Sequence, residues 1–122
     1  MMRLEILPER FAVCKVREIP CVLSPFSFLA RTDEEISLVC PVKDAPKETL
    51  AREDGWRGFR IQGVLDFSLV GILARIAGIL AERKIPIFAL STYNTDYILV
   101  KEEYLSAARE ALLDAGYEIE EP

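Results

Sequence analysis

The sequence contains no histidine. That absence removes Ser-His and Cys-His nucleophile activation, imidazole proton shuttles and the usual zinc sites. Cysteine is scarce: Cys14, Cys21 and Cys40 stand alone, with no C-x-x-C pair. Without histidine they make a poor metal site, and they read as free thiols with a packing role in a reducing compartment. Neither metal nor cofactor is expected. No apolar run approaches the roughly 18 residues that a membrane span needs. Residues 1–10 carry charges early and hold no apolar signal-peptide core. Basic residues number 15 against 20 acidic ones and form no stripe. At a formal net charge of -5 the chain repels phosphate backbones. Nucleic acid and membrane are therefore not expected partners, and the cytoplasm is the expected compartment.

What is present is enough for a core: 51% of the 122 residues are hydrophobic and 29% are charged. The second half has the clearer periodicity. Phe59, Ile61 and Leu65 alternate with Arg60, Gln62 and Val64, which predicts a strand. Over 69–84, Leu69, Ile72, Leu73, Ile76, Ile79 and Leu80 recur at helical spacing, with Asp66 or Ser68 available as the cap. Pro86 begins an extended run over 87–93. Asn94-Thr95-Asp96 reads as a turn, and 97–101 as a second strand, making a hairpin. Glu102 and Glu103 open a helix with an apolar face of Leu105, Ala108, Leu112 and Ala115, ended by Gly116. A last strand covers 117–119, and the acids Glu118, Glu120 and Glu121 read as a solubilising tail. The order β-α-β-β-α-β is the ferredoxin-like α+β pattern.

The first half repeats this pattern weakly at a shift of 61 residues: Pro25 answers Pro86, Leu29 answers Leu90, and Gly55-Trp56 answers Gly116-Tyr117. By this shift Ala51 takes the place of Leu112 on the second helix. The repeat fails over 8–22, where Pro8 and Pro20 bracket the strand-like run 11–16 in place of the first helix. The expected division is a degenerate N-terminal unit over 1–56 and a complete unit over 57–122.

Two loops of the second unit hold the residues suited to a ligand. One carries Asp66, Ser68, Val70, Gly71 and Ile72 at the expected start of the first helix; the other carries Thr92, Tyr93, Asn94, Thr95 and Asp96 at the hairpin. A helix N-terminus favours a carboxylate, and Gly71 allows close approach. Asp66 and Asp96 suit an ammonium or a guanidinium, and Thr92, Asn94 and Thr95 offer uncharged hydrogen bonds. A carboxylate at one end and an ammonium nearby describe a free amino acid, with some preference for a cationic side chain. The bland alternatives are a turn satisfied by Thr95 and Asp96, and a close-packing stripe at Gly71, Ala74 and Gly78.

The span 63–100, and above all Ser91-Thr92-Tyr93-Asn94-Thr95-Asp96-Tyr97-Ile98-Leu99-Val100, resembles an ACT domain. It is closest to the small tandem-ACT proteins, similar to the ACT modules of aspartate kinases and of cytosolic arginine sensors. The resemblance implies a non-catalytic regulatory module. It implies an effector amino acid at an ACT–ACT interface, against the strand-to-helix loop and the hairpin, and a homodimer. Any regulated protein would be a separate chain.

Three other classes compete. A dimerising interaction protein without a small ligand is the nearest alternative. A small ferredoxin-like phosphatase needs an arginine in a phosphate-cradling loop, and 66–71 has none. An RRM-type RNA binder needs exposed aromatics with basic flanks, which Tyr97 alone does not supply.

Overall fold

The second half folds strand, helix, strand, strand, helix, strand in the structure, a computed structural model that describes residues 2–63 and 70–122. The elements are β5 (Ala51–Ile61), α1 (Ile72–Glu82), β6 (Phe88–Ser91), β7 (Asp96–Lys101), α2 (Leu105–Asp114) and β8 (Glu118–Glu120). Ahead of them come β1 (Arg3–Ile6), β2 (Phe11–Val16), β3 (Phe28–Arg31) and β4 (Ile36–Pro41). The fold is mixed α+β of the ferredoxin-like kind. Two units separate: Met1–Pro8 with Arg57–Pro122, and Glu9–Trp56. The first eight residues thus group with the second half of the chain.

In the larger unit β1 takes a place that the sequence does not announce. It pairs antiparallel with β5 and parallel with β8, so it lies between the two outer members of the ferredoxin-like pattern. On the other side of β5 comes β7, then β6. Alternation along the strands sends Leu4, Ile6, Phe59, Ile61, Ile98 and Val100 into one core with Ile76 and Leu80 of α1 and Ala108, Ala111 and Leu112 of α2. Each fully buried Leu or Ile there contributes roughly 1.5–3 kcal/mol.

Both helices end on Schellman turns. After α2, Gly116 at φ 98 donates to the Leu113 carbonyl and Tyr117 donates to that of Leu112. After α1, Lys84 takes the same left-handed position at φ 58, with its N–H on Ala81 and that of Ile85 on Leu80.

The sequence reading needs several corrections. The helix predicted over 69–84 runs Ile72–Glu82, with Gly71 at φ 78 as its N-cap and no side-chain cap bond. The expected caps Asp66 and Ser68, with Val64, Leu65 and Leu69, lie outside the described residues. Glu102 and Glu103 belong to a single 3-10 turn before α2, not to the helix. Glu118 and Glu120 are strand residues; Glu118 pairs with Arg3 at 3.6 Å, and Glu120 accepts from the Gln62 amide. Gly71, Ala74 and Gly78 do not close-pack against the described residues of their own chain. All three are exposed, and an added Cβ at either glycine would meet nothing within 4 Å.

The unit Glu9–Trp56 pairs β2 with β4, β4 with β3, and β2 with the first half of β5. Among its described residues there is no α-helix: 8–22 holds β2 and irregular chain, and Ala51 opens β5 instead of sitting on a helix. Ala12, Cys14, Val16, Leu38 and Cys40 share one buried cluster. Phe26, at φ 64, meets Phe11 edge-on with ring centroids 6.5 Å apart, holding the irregular segment on the strand. Gly55 at φ 86 sits in the register shift between β2 and β5, where a β-bulge needs a left-handed residue.

The two hairpins correspond at an offset of 60 residues, one less than the sequence comparison suggests. Phe28–Arg31 matches Phe88–Ser91, Ile36–Pro41 matches Asp96–Lys101, and the following 3-10 turns match as well. Buried Leu38, Val39 and Cys40 then answer buried Ile98, Leu99 and Val100. A slip of one would put each on the opposite sheet face, which strand pairing forbids.

Candidate functional site

The end of β5 organises the surroundings of α1. Gln62 N–H donates to the Arg3 carbonyl, and Glu118 N–H donates to that of Met2, so the start of β1 and the approach to β8 meet beside it. Gly71 turns the chain into α1, and its carbonyl accepts from Arg75 N–H at 2.9 Å. Val70, Gly71, Ile72 and Arg75 face Met2 and Tyr117 across an open cleft of about 440 Å³.

Four of the six lining residues are large and apolar, and Arg75 is the one charged group among them. Its guanidinium carbon stands 5.8 Å from the centre of the Tyr117 ring. That cation–π contact holds the positive charge at the mouth of an apolar slot. Such a slot can take a small carboxylate whose remainder is apolar. The first-turn N–H groups of α1, without intrahelical acceptors, add positive potential on the same side.

The hairpin residues lie elsewhere. The turn is Thr92 to Thr95, not Asn94 to Asp96. Thr92 N–H and its hydroxyl both donate to the Thr95 carbonyl at 2.9 Å, and Thr95 N–H reaches the Thr92 hydroxyl oxygen at 3.3 Å. Thr95 is 6% exposed, and its hydroxyl donates to the Ile61 carbonyl at 2.7 Å. This bond ties the hairpin tip to the end of β5 and engages Thr95 structurally. Asp96 opens β7 opposite Ser91, on the face shared by Ile98 and Val100. Thr92, Tyr93 and Asn94 are exposed at the tip. None of the five hairpin residues lines the cleft at α1.

Of the residues expected from sequence, the structure therefore brings together Val70, Gly71 and Ile72. Asp66 and Ser68 lie outside the described residues. Sequence reasoning missed Met2, Arg75 and Tyr117. Arg75 was legible in principle: it lies four residues after Gly71, one helical turn along the same face.

The family model of the ACT domain matches residues 51–114. The chain belongs to the ACT domain family. Among solved structures it is similar to a protein of Agrobacterium tumefaciens, at 28% identity and TM-score 0.89, covering 99% of this ACT chain and 93% of that one. It also resembles the ligand-free regulatory subunit of aspartate kinase from Thermus thermophilus, at 12% identity and TM-score 0.65, covering 93% and 96%. A third likeness is to aspartate kinase from Synechocystis, at 16% identity and TM-score 0.66, covering 98% of this chain and 28% of that one. At the two lower identities the likeness is one of fold. No curated protein matches the chain. No helix among the described residues is long and apolar enough to cross a membrane, and no group of three or more His, Cys, Asp or Glu there could hold a metal ion.

Proposed function

We propose that this ACT protein is a non-catalytic regulatory module that binds a free amino acid at the start of α1 and works as a homodimer on a separate protein. The observation that carries the reading is the cleft of about 440 Å³ with Arg75 at its mouth and Met2, Val70, Ile72 and Tyr117 as walls. The guanidinium receives the carboxylate, and the walls receive an uncharged side chain. A cationic side chain, favoured by Asp66 and Asp96 in the sequence, is disfavoured beside Arg75.

Two features support the homodimer. Gly71, Ala74 and Gly78 give α1 an exposed face of small residues, against which another backbone can approach closely. Val70 at the cleft and Tyr93 at the hairpin are 90% and 79% exposed, large apolar groups of the kind that an interface covers. A second copy would bring a hairpin, with Thr92, Asn94 and Asp96, to the open side of the cleft. The unpaired thiols Cys14, Cys21 and Cys40 are consistent with the cytoplasm.

The test is a thermal-shift screen of the twenty amino acids at millimolar concentration. Affinities of about -4 to -8 kcal/mol suit so small a ligand. At about 100 times the dissociation constant, the bound ligand adds roughly 2.7 kcal/mol to stability. Arg75→Gln should reduce the response by the share of this site, and Asp96→Ala should do so only if the partner's hairpin completes the site. No shift with any of the twenty would refute the reading. A monomer mass by light scattering at micromolar concentration would refute the dimer.

A further inference from the structure

In the unit Glu9–Trp56 the segment that follows β2 does not form a helix, and a cleft of about 580 Å³ stands beside it. Its walls come from two stretches: Val16 to Cys21, directly after β2, and Pro46 with Glu48 to Leu50, directly before β5. The cleft at α1 has the same construction. There the chain after the first strand of its pattern, β5, faces Tyr117, the residue directly before the last strand, β8. Leu50 lies directly before β5, as Tyr117 lies directly before β8. Each cleft lies between the chain that follows one strand and the chain that precedes another in its own unit, although only one unit keeps the helix.

The lining differs in charge. Arg17 supplies a cation, and Glu18 and Glu48 supply two anions. No hydrogen bond or ion pair engages these three side chains among the described residues. Val16, Ile19 and Leu50 give apolar wall, and Leu50 is fixed by its N–H on the Lys15 carbonyl at 2.7 Å. Ile19 and Leu50 remain 41% and 53% exposed.

We infer that this cleft is a second small-molecule site, taking a free α-amino acid with an apolar side chain. Arg17 donates two parallel N–H bonds to the carboxylate in the bidentate manner of a guanidinium. The ammonium has three donors, enough for Glu18 and Glu48 together. The side chain lies against Val16, Ile19 and Leu50. The amino-acid class rests on the reading proposed for the α1 cleft, whereas the existence of a second site rests on this cleft alone. The module would then respond to two amino acids per chain.

Cys21 gives the site its own reporter. It is exposed and lines the cleft, whereas Cys14 and Cys40 are buried. Labelling of the folded protein with an aromatic disulfide should modify one thiol quickly. L-leucine, L-valine and L-phenylalanine are the apolar probes, with L-arginine and L-aspartate as charged comparisons. An apolar probe at ten times its dissociation constant should slow Cys21 labelling about tenfold, because only the unoccupied fraction reacts. Arg17→Gln should abolish that protection, and Arg75→Gln should leave it intact.

Protection of Cys21 that survives Arg17→Gln would overturn the assignment. So would protection by L-arginine or L-aspartate alone. A thermal shift lost in Arg75→Gln, with no amino acid protecting Cys21, would overturn the second site and leave the first standing. Protection of Cys21 with no effect of Arg75→Gln on any response would support the second site and refute the first. No protection and no shift would overturn both.

Discussion

Replacing Thr95 by valine isolates a buried hydrogen bond that joins the hairpin tip to β5. Thr95 is 6% exposed, and its hydroxyl donates to the Ile61 carbonyl at 2.7 Å. Valine keeps the shape of threonine, so no cavity opens. Losing the bond and leaving a buried acceptor less well satisfied costs roughly 1–3 kcal/mol. The methyl that replaces the hydroxyl offsets up to about 0.8 kcal/mol by burial. The net loss should be roughly 1–2 kcal/mol, or a fall in melting temperature of roughly 3–10 °C for a chain of this size. The assay is equilibrium urea unfolding followed by far-UV circular dichroism, with the m-value required to stay constant. Thr92→Val is the companion variant. The Thr92 hydroxyl makes two of the three bonds to Thr95 but is exposed, and water replaces them, so the variant should lose about 0.5 kcal/mol or less. A loss below about 0.3 kcal/mol for Thr95→Val, or a larger loss for Thr92→Val, would refute the argument from burial.

Other expectations follow from the same geometry. Lys84→Gly should stabilise the protein by roughly 0.5–1 kcal/mol in the same urea assay, because Lys84 holds the left-handed C′ position at φ 58. Gly71→Ala should destabilise it by about 1 kcal/mol through backbone strain at φ 78, since an added Cβ meets nothing within 4 Å. Asp96→Ala without ligand should stay within about 0.5 kcal/mol of the parent, and a larger loss would make the carboxylate structural. Burial raises the Cys14 thiol pKa and, together with the neighbouring Cys14 thiol, pushes Cys40 up to about 11. A folded pKa above the unfolded one keeps its full stabilisation below about pH 9 and loses it as pH rises towards 11. Cys40 alone should account for roughly 2–3 kcal/mol across that window, and Cys40→Ala should flatten the decline between pH 9 and 11.

Local physics was readable along the chain. Period 3.6 marked α1 and α2, period 2 marked the strands of the second half, and Gly116 marked a helix stop, because each depends on residues within a few positions of one another. Pro8 and Pro20 likewise predicted the absence of a helix over 8–22. The ACT resemblance rested on such local patterns and on the hairpin block. Pairing across the chain decided the rest. β1 enters between β5 and β8 through hydrogen bonds between residues more than fifty positions apart, which no periodicity announces. The offset of 60 between the hairpins follows from which face each strand buries, a choice that a comparison of common residues leaves open by one position. In the sequence Thr95 reads as a ligand contact or as a residue that satisfies a turn, and only folding reveals that its hydroxyl reaches the Ile61 carbonyl. Met2, Arg75 and Tyr117 carry no shared motif, and they form a cleft only because the start of β1 and the end of the α2 turn reach the same end of β5.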